Sequence, residues 1–210
     1  MIQTQEVFLP INKDEREIFR TIALLSRLNN GNENLRETLK EEYENKPEDI
    51  QVKFAYALYN IMLTNPNDVL ESKSNVENAL EVFEEIIEER PSCWLAQMYR
   101  IRILSMLPNS YRDEESIIED INLLIETQNN SEYQPYFVIP YILLAGLYWS
   151  MGEDEEATLV IEDAQKLEKS KIIDIPDFLI IFFEELETKL KNSGDDINST
   201  LITNLKSNFF

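Results

Sequence analysis

The chain has 210 residues, 43% hydrophobic and 28% charged, which is enough apolar content to bury a sizeable core in one domain or one short repeat array. Its 40 acidic residues against 19 basic ones give a formal net charge of −21, which disfavours nucleic-acid phosphates and anionic membranes as partners and favours a basic one. No histidine is present, which removes imidazole-based triads, general bases and metal sites, and four glycines and one cysteine leave no glycine-rich phosphate loop and no internal disulfide.

The opening MIQTQEVFLPINKDERE lacks the basic-then-apolar order of a secretory signal, so residues 1–12 read as an extension and a cytoplasmic location is expected. NNGN at Asn29 to Asn32 reads as a turn. Leu63 to Ser74, LTNPNDVLESKS, reads as a loop-like insertion, with Ser74 and Glu77 able to form a capping box for the helix that follows. Cys93, two residues after Pro91, reads as a small packed residue at a helix start. Helices are predicted over Trp94 to Leu107 and Asp113 to Thr127, joined by a lengthened turn, PNSYRD. The second carries Ile117, Ile121, Leu124 and Ile125 as a helical stripe.

Tyr136 to Trp149 holds no charged residue, but it includes a proline and is shorter than the roughly 20 residues that span a bilayer. It overlaps Tyr141 to Lys169, YILLAGLYWSMGEDEEATLVIEDAQKLEK, in which Ala145, Ala157 and Ala164 would let two antiparallel helices approach while Leu144, Tyr148 and Ile161 fill the space between them. Gly152 suits the turn, and the acidic residues after it suit the positive end of the second helix. A further helix is predicted from about Pro176 to Lys191, with Leu179, Phe182, Phe183, Leu186 and Leu190 on one face. Phe178 and Ile181 lie off that stripe, either buried under the tail or marking a partner surface. Residues 193–210 read as a polar tail with enough apolar side chains to dock, but with no decisive periodicity.

The series Tyr141, Leu144 with Ala145, Tyr148, Gly152, Ala157, Ile161 and Ala164 resembles a tetratricopeptide repeat at every spacing, departing only at Lys169, where that family usually has proline. A similar series runs through Phe54 with Ala55, then Ala79, Phe83, Ile86 and Pro91, interrupted by the insertion near residues 63–74. Ile22 with Ala23, Leu35, Leu39 and Pro47 fit a first copy, and the helices from Trp94 and Asp113 fit a weaker third. The resemblance implies an all-α, right-handed superhelix of about four stacked helical hairpins, a TPR-like α-solenoid spanning residues 13–170, with copies at about 13–47, 48–91, 92–130 and 136–169. A helix within 171–192 would cap its open end.

By the same resemblance, the chain would be a non-enzymatic scaffold that binds a protein or peptide, without a cofactor or metal, on residues between the packing positions of each first helix. These are Arg20, Leu24 and Arg27, then Val52, Tyr56 and Tyr59, Met98 and Arg102, and finally Ile142 and Trp149. Their types suit interface hot spots, although a periodic aromatic on a helix is more often core than contact. An acidic chaperone or inhibitor that masks a basic client is the alternative. Carboxylate-only enzymology would need paired acidic residues turned inward, and the candidates (Asp113 to Glu115, Glu153 to Glu156, Glu162 with Asp163) fall at predicted helix starts or on solvent faces.

Overall fold

A computed structural model describes residues 33–62, 69–108, 111–167 and 180–209. Every regular element among them is helical: α1 (Glu33–Asn45), α2 (Ile50–Met62), α3 (Val69–Glu89), α4 (Trp94–Met106), α5 (Glu114–Asn129), a 3₁₀ turn (Pro135–Phe137), α6 (Val138–Met151), α7 (Asp154–Gln165), α8 (Ile180–Ser193) and α9 (Asp196–Phe209). The chain divides into two compact bodies, and the division falls within α4, between Ile103 and Leu104.

In the first body α2 packs against both α1 and α3. Asp49 starts α2, its carboxylate accepting the backbone N–H groups of Gln51 at 3.0 Å and Val52 at 3.3 Å, which satisfies donors a helix start leaves open. Phe54, Phe83 and Ile86 are fully enclosed, as is Ala79. Phe54 meets Phe83 edge-on at 5.2 Å and Tyr99 edge-on at 5.5 Å, contacts worth roughly 0.5–1.5 kcal/mol each beyond the area they bury. Helix α3 begins at Val69, so Ser74 lies inside it and the expected capping box does not form there. The stretch VLESKS has no helix breaker, and its Leu, Glu and Lys favour continuation. Beyond Pro91, the Cys93 N–H closes on the Arg90 carbonyl at 2.9 Å and α4 follows, with Cys93 buried.

The second body is described from Leu104 onward. Asp113 caps α5 by accepting the Ser116 N–H at 3.2 Å, and Ile117, Ile121 and Leu124 form the buried stripe. Buried Gln128 donates from Nε2 to the Phe137 carbonyl at 2.8 Å, tying the end of α5 to the 3₁₀ turn. Helix α6 packs against α5, α7 and α8. With so many neighbours it is apolar around most of its circumference, from Val138 through Leu147.

The small residues sit where the spacing predicts: Ala145, Ala157 and Ala164 have no exposed surface. Gly152 ends α6 in the left-handed region, at φ 81°, where its N–H bonds the Trp149 carbonyl and the next N–H bonds that of Tyr148. Gly146 serves a different purpose, since a Cβ there would stand 3.2 Å from Cδ1 of Leu186 on α8.

Phe183, Leu186 and Leu190 line the buried side of α8. Leu179 and Phe178 lie outside the described residues, as do the side chains of Ile181 and Phe182. The expected polar tail is α9, a helix packed on α7 and α8 with Ile202 and Leu205 fully buried. Apolar residues three apart put these two side chains on one face, and burial against two helices supplies the stability that a short isolated helix lacks.

Candidate functional site

Arg20 and Arg27 fall outside the described residues. Tyr59, Met98 and Ile142 are buried, at 4%, 0% and 1% exposure, so in this structure their side chains pack internally. For Met98 and Ile142 the cause is local: α4 and α6 carry buried residues around most of their circumference, so few positions on them reach water. Tyr56, Arg102 and Trp149 are half-buried. Tyr56 stacks on Tyr43 of α1, with ring centroids 4.8 Å apart and planes at 14°. Arg102 lies near buried Tyr99, whose hydroxyl pKa is raised by desolvation and drawn slightly back by the guanidinium.

Trp149 occupies the last turn of α6 in the second body. Its Nε1–H is enclosed by the fold, yet among the described residues no acceptor meets it. Next to it Ser150 donates to the Leu147 carbonyl at 2.7 Å and receives a 3.3 Å hydrogen bond from Arg112 Nη2. Arg112, its side chain 7% exposed, also donates to the Ser105 carbonyl at 3.1 Å and pairs with Glu114 at 2.5 Å. The guanidinium thus ties the connection before α5 to the end of α6. Tyr148 is also half-buried, and its pKa is raised first by desolvation and then by Glu153 and Glu156.

The first body holds a second polar cluster, which the sequence pattern does not single out. Lys53, 3% exposed, extends its ammonium to Glu89 at 2.6 Å and Glu85 at 3.0 Å. Desolvation would lower the lysine pKa, but the two carboxylates outweigh it and the net shift is upward. Tyr43 donates to Glu85 at 2.9 Å, and burial with that bond pushes its pKa up to about 12. The arrangement clamps α2, α3 and α1 together.

The carboxylate groups weighed for acid–base or metal chemistry are dispersed. Asp113 is engaged as a cap, Glu153 to Glu156 are exposed, and Asp163 pairs with Lys166 at 2.6 Å beside exposed Glu162. Among the described residues no group of three His, Cys, Asp or Glu side chains is placed to hold a metal ion, and no helix is long and apolar enough to cross a membrane. Compared with known proteins, the chain matches no family model, no curated protein and no solved structure.

Arg112 and Ser150 are the site residues that pattern reading passes over. Arg112 sits in the irregular stretch PNSYRD, where no periodicity assigns a face, and Ser150 is a single hydroxyl near a helix end.

Proposed function

We propose that the chain is a non-enzymatic scaffold of tetratricopeptide-like helical hairpins that holds a peptide segment of a partner protein, with Trp149 as its principal contact. The alanines buried between α6 and α7 and the left-handed glycine joining those helices support the repeat reading. The observation that carries the binding assignment is Trp149. Its indole is half open to solvent at the end of α6, and a large amphipathic ring in that position is the kind of anchor a bound peptide covers.

The test is selection of random dodecapeptides on the immobilised full chain. Convergent sequences whose capture is lost in Trp149→Ala and kept in Trp149→Phe with shortened residence, at unchanged helicity, are expected. Failure of any sequence to converge, or capture indifferent to Trp149, would remove the proposal. Repeating the capture across a salt series separates the alternative: an acidic mask for a basic client weakens steeply with ionic strength, whereas contact through an indole changes little.

A further inference from the structure

Two glycines of the second body stand in the left-handed region at φ 81°, Gly152 after α6 and Gly194 after α8. Their surroundings match bond for bond. The Gly152 N–H bonds the Trp149 carbonyl at 3.2 Å, and the next N–H bonds that of Tyr148 at 3.0 Å. The Gly194 N–H bonds the Lys191 carbonyl at 3.1 Å, and the next N–H bonds that of Leu190 at 2.9 Å. Both preceding helices have 14 residues, and both following helices open with the same backbone bond, from Ala157 to Glu153 at 3.1 Å and from Ser199 to Asp195 at 3.0 Å.

Side chains at equal distances from the two glycines take equal places. Phe183 and Leu186 are buried as Tyr141 and Leu144 are, and Ser199 is a small enclosed residue where the earlier pair has Ala157. The packing repeats as well, with α8 lying on α6 and α9 on α7, first helix on first and second on second. Helix α9 departs in one respect. Its buried Ile202 and Leu205 each come one residue before the places of Ile161 and Ala164, and Thr203 and Lys206, which hold those places, reach Glu187 and Glu184 of α8 instead.

The match fails on one face. On α6, Ile142 and Leu147 are buried and Gly146 lies against Leu186 of the next first helix. The equivalent places on α8 hold Glu184, Lys189 and Thr188, all exposed, and with Glu185 and Asn192 they line an open cavity of about 520 Å³. We infer that α8 and α9 form a further hairpin stacked on α6 and α7, and that the charged outward face of α8 ends the array by refusing another helix, whether from a partner or from a second copy of this chain. Seating a helix there would take two carboxylates and an ammonium out of water, a cost that the apolar stems of those side chains do not offset. An array of stacked hairpins needs such a polar end to stay soluble. The inference rests on the hairpin reading above and not on peptide capture at Trp149.

Making the end face apolar supplies one test. Glu185→Leu, Thr188→Ala and Lys189→Leu combined should make the chain associate reversibly in sedimentation velocity. The association should be at least about tenfold tighter than for Glu162→Leu, Gln165→Ala and Lys166→Leu, which put the same residues at the same spacing on exposed positions of α7 and also leave the net charge unchanged. Equal behaviour of the two triple variants, or a wild-type chain that already dimerises and is dispersed by Lys189→Glu, would overturn the end-face role. Thermal melting tests the hairpin itself. Gly194→Ala and Ser199→Leu should lower the midpoint about as far as Gly152→Ala and Ala157→Leu do, and a silent response to either would remove the further hairpin whatever the triple variants show. A peptide selection that fails to converge removes the assignment of Trp149 and leaves this inference standing.

Discussion

An ammonium with 3% of its surface exposed is tolerated at Lys53 because two carboxylates meet it. Both acceptors remain partly hydrated, so removing the lysine costs less than the roughly 3–5 kcal/mol of a fully enclosed pair. Lys53→Ala is expected to lose about 1–2 kcal/mol in urea denaturation, and Lys53→Met less, since it keeps the packed stem. The pH dependence has a definite sign. Lys53 and Tyr43 both have raised folded-state pKa values, so the folded chain holds protons that the unfolded chain releases first. Their contribution is complete below about pH 10 and is lost as pH rises through the raised folded-state values, so the difference between wild type and Lys53→Met should hold steady up to about pH 10 and shrink above it. Two glycines fail for opposite reasons. Gly152→Ala has open space around it but is strained at φ 81°, and should cost about 1 kcal/mol. Gly146→Ala gains about 0.8–1 kcal/mol of helix propensity against a crowded Leu186 methyl and should fall near neutral, while Gly146→Val should be clearly destabilising.

At the level of helices, Leu205→Ala tests whether α9 belongs to the core. A fully buried leucine removed from a packed face costs about 2–5 kcal/mol, whereas a tail resting loosely on the surface would register little in thermal melting. Here the reach of pattern reading is plain. The α6–α7 pair was legible because glycine, alanines and large apolar residues recur at helical spacing and each does one physical job. The start of α3 was not, because Asn-Pro-Asn reads as a loop while the residues just after it are ordinary helix formers, and only packing decides where the helix begins. Helix α9 hid for the related reason that a short amphipathic segment is ambiguous until a neighbour covers it. Of the expected contacts, Tyr59, Met98 and Ile142 are buried, since spacing places a residue on a helix face but does not say how many helices surround it.

Across the whole molecule, a net charge of −21 opposes compaction. Exposed pairs such as Lys40–Glu44 and Lys73–Glu77 offset little of that, each being worth a few tenths of a kcal/mol. Added salt screens the general repulsion more than it weakens these pairs, so raising sodium chloride from 10 mM to 300 mM should increase the melting temperature. A gain of about 1 kcal/mol corresponds to roughly 2–4 °C for a chain of this size. A lower melting temperature at high salt would mean that the surface pairs act as a stabilising network.

The chain's tryptophans, Trp94 and Trp149, fall on opposite sides of the division within α4, one deep in the packing and the other half open to solvent. Each body therefore contains its own fluorophore, and the two differ in environment. Trp94 should emit toward the blue and resist acrylamide quenching, whereas Trp149 should emit toward the red and quench readily. Single-tryptophan variants would report the loosening of either half separately, without any attached dye, and occupancy at Trp149 would appear as a colour change.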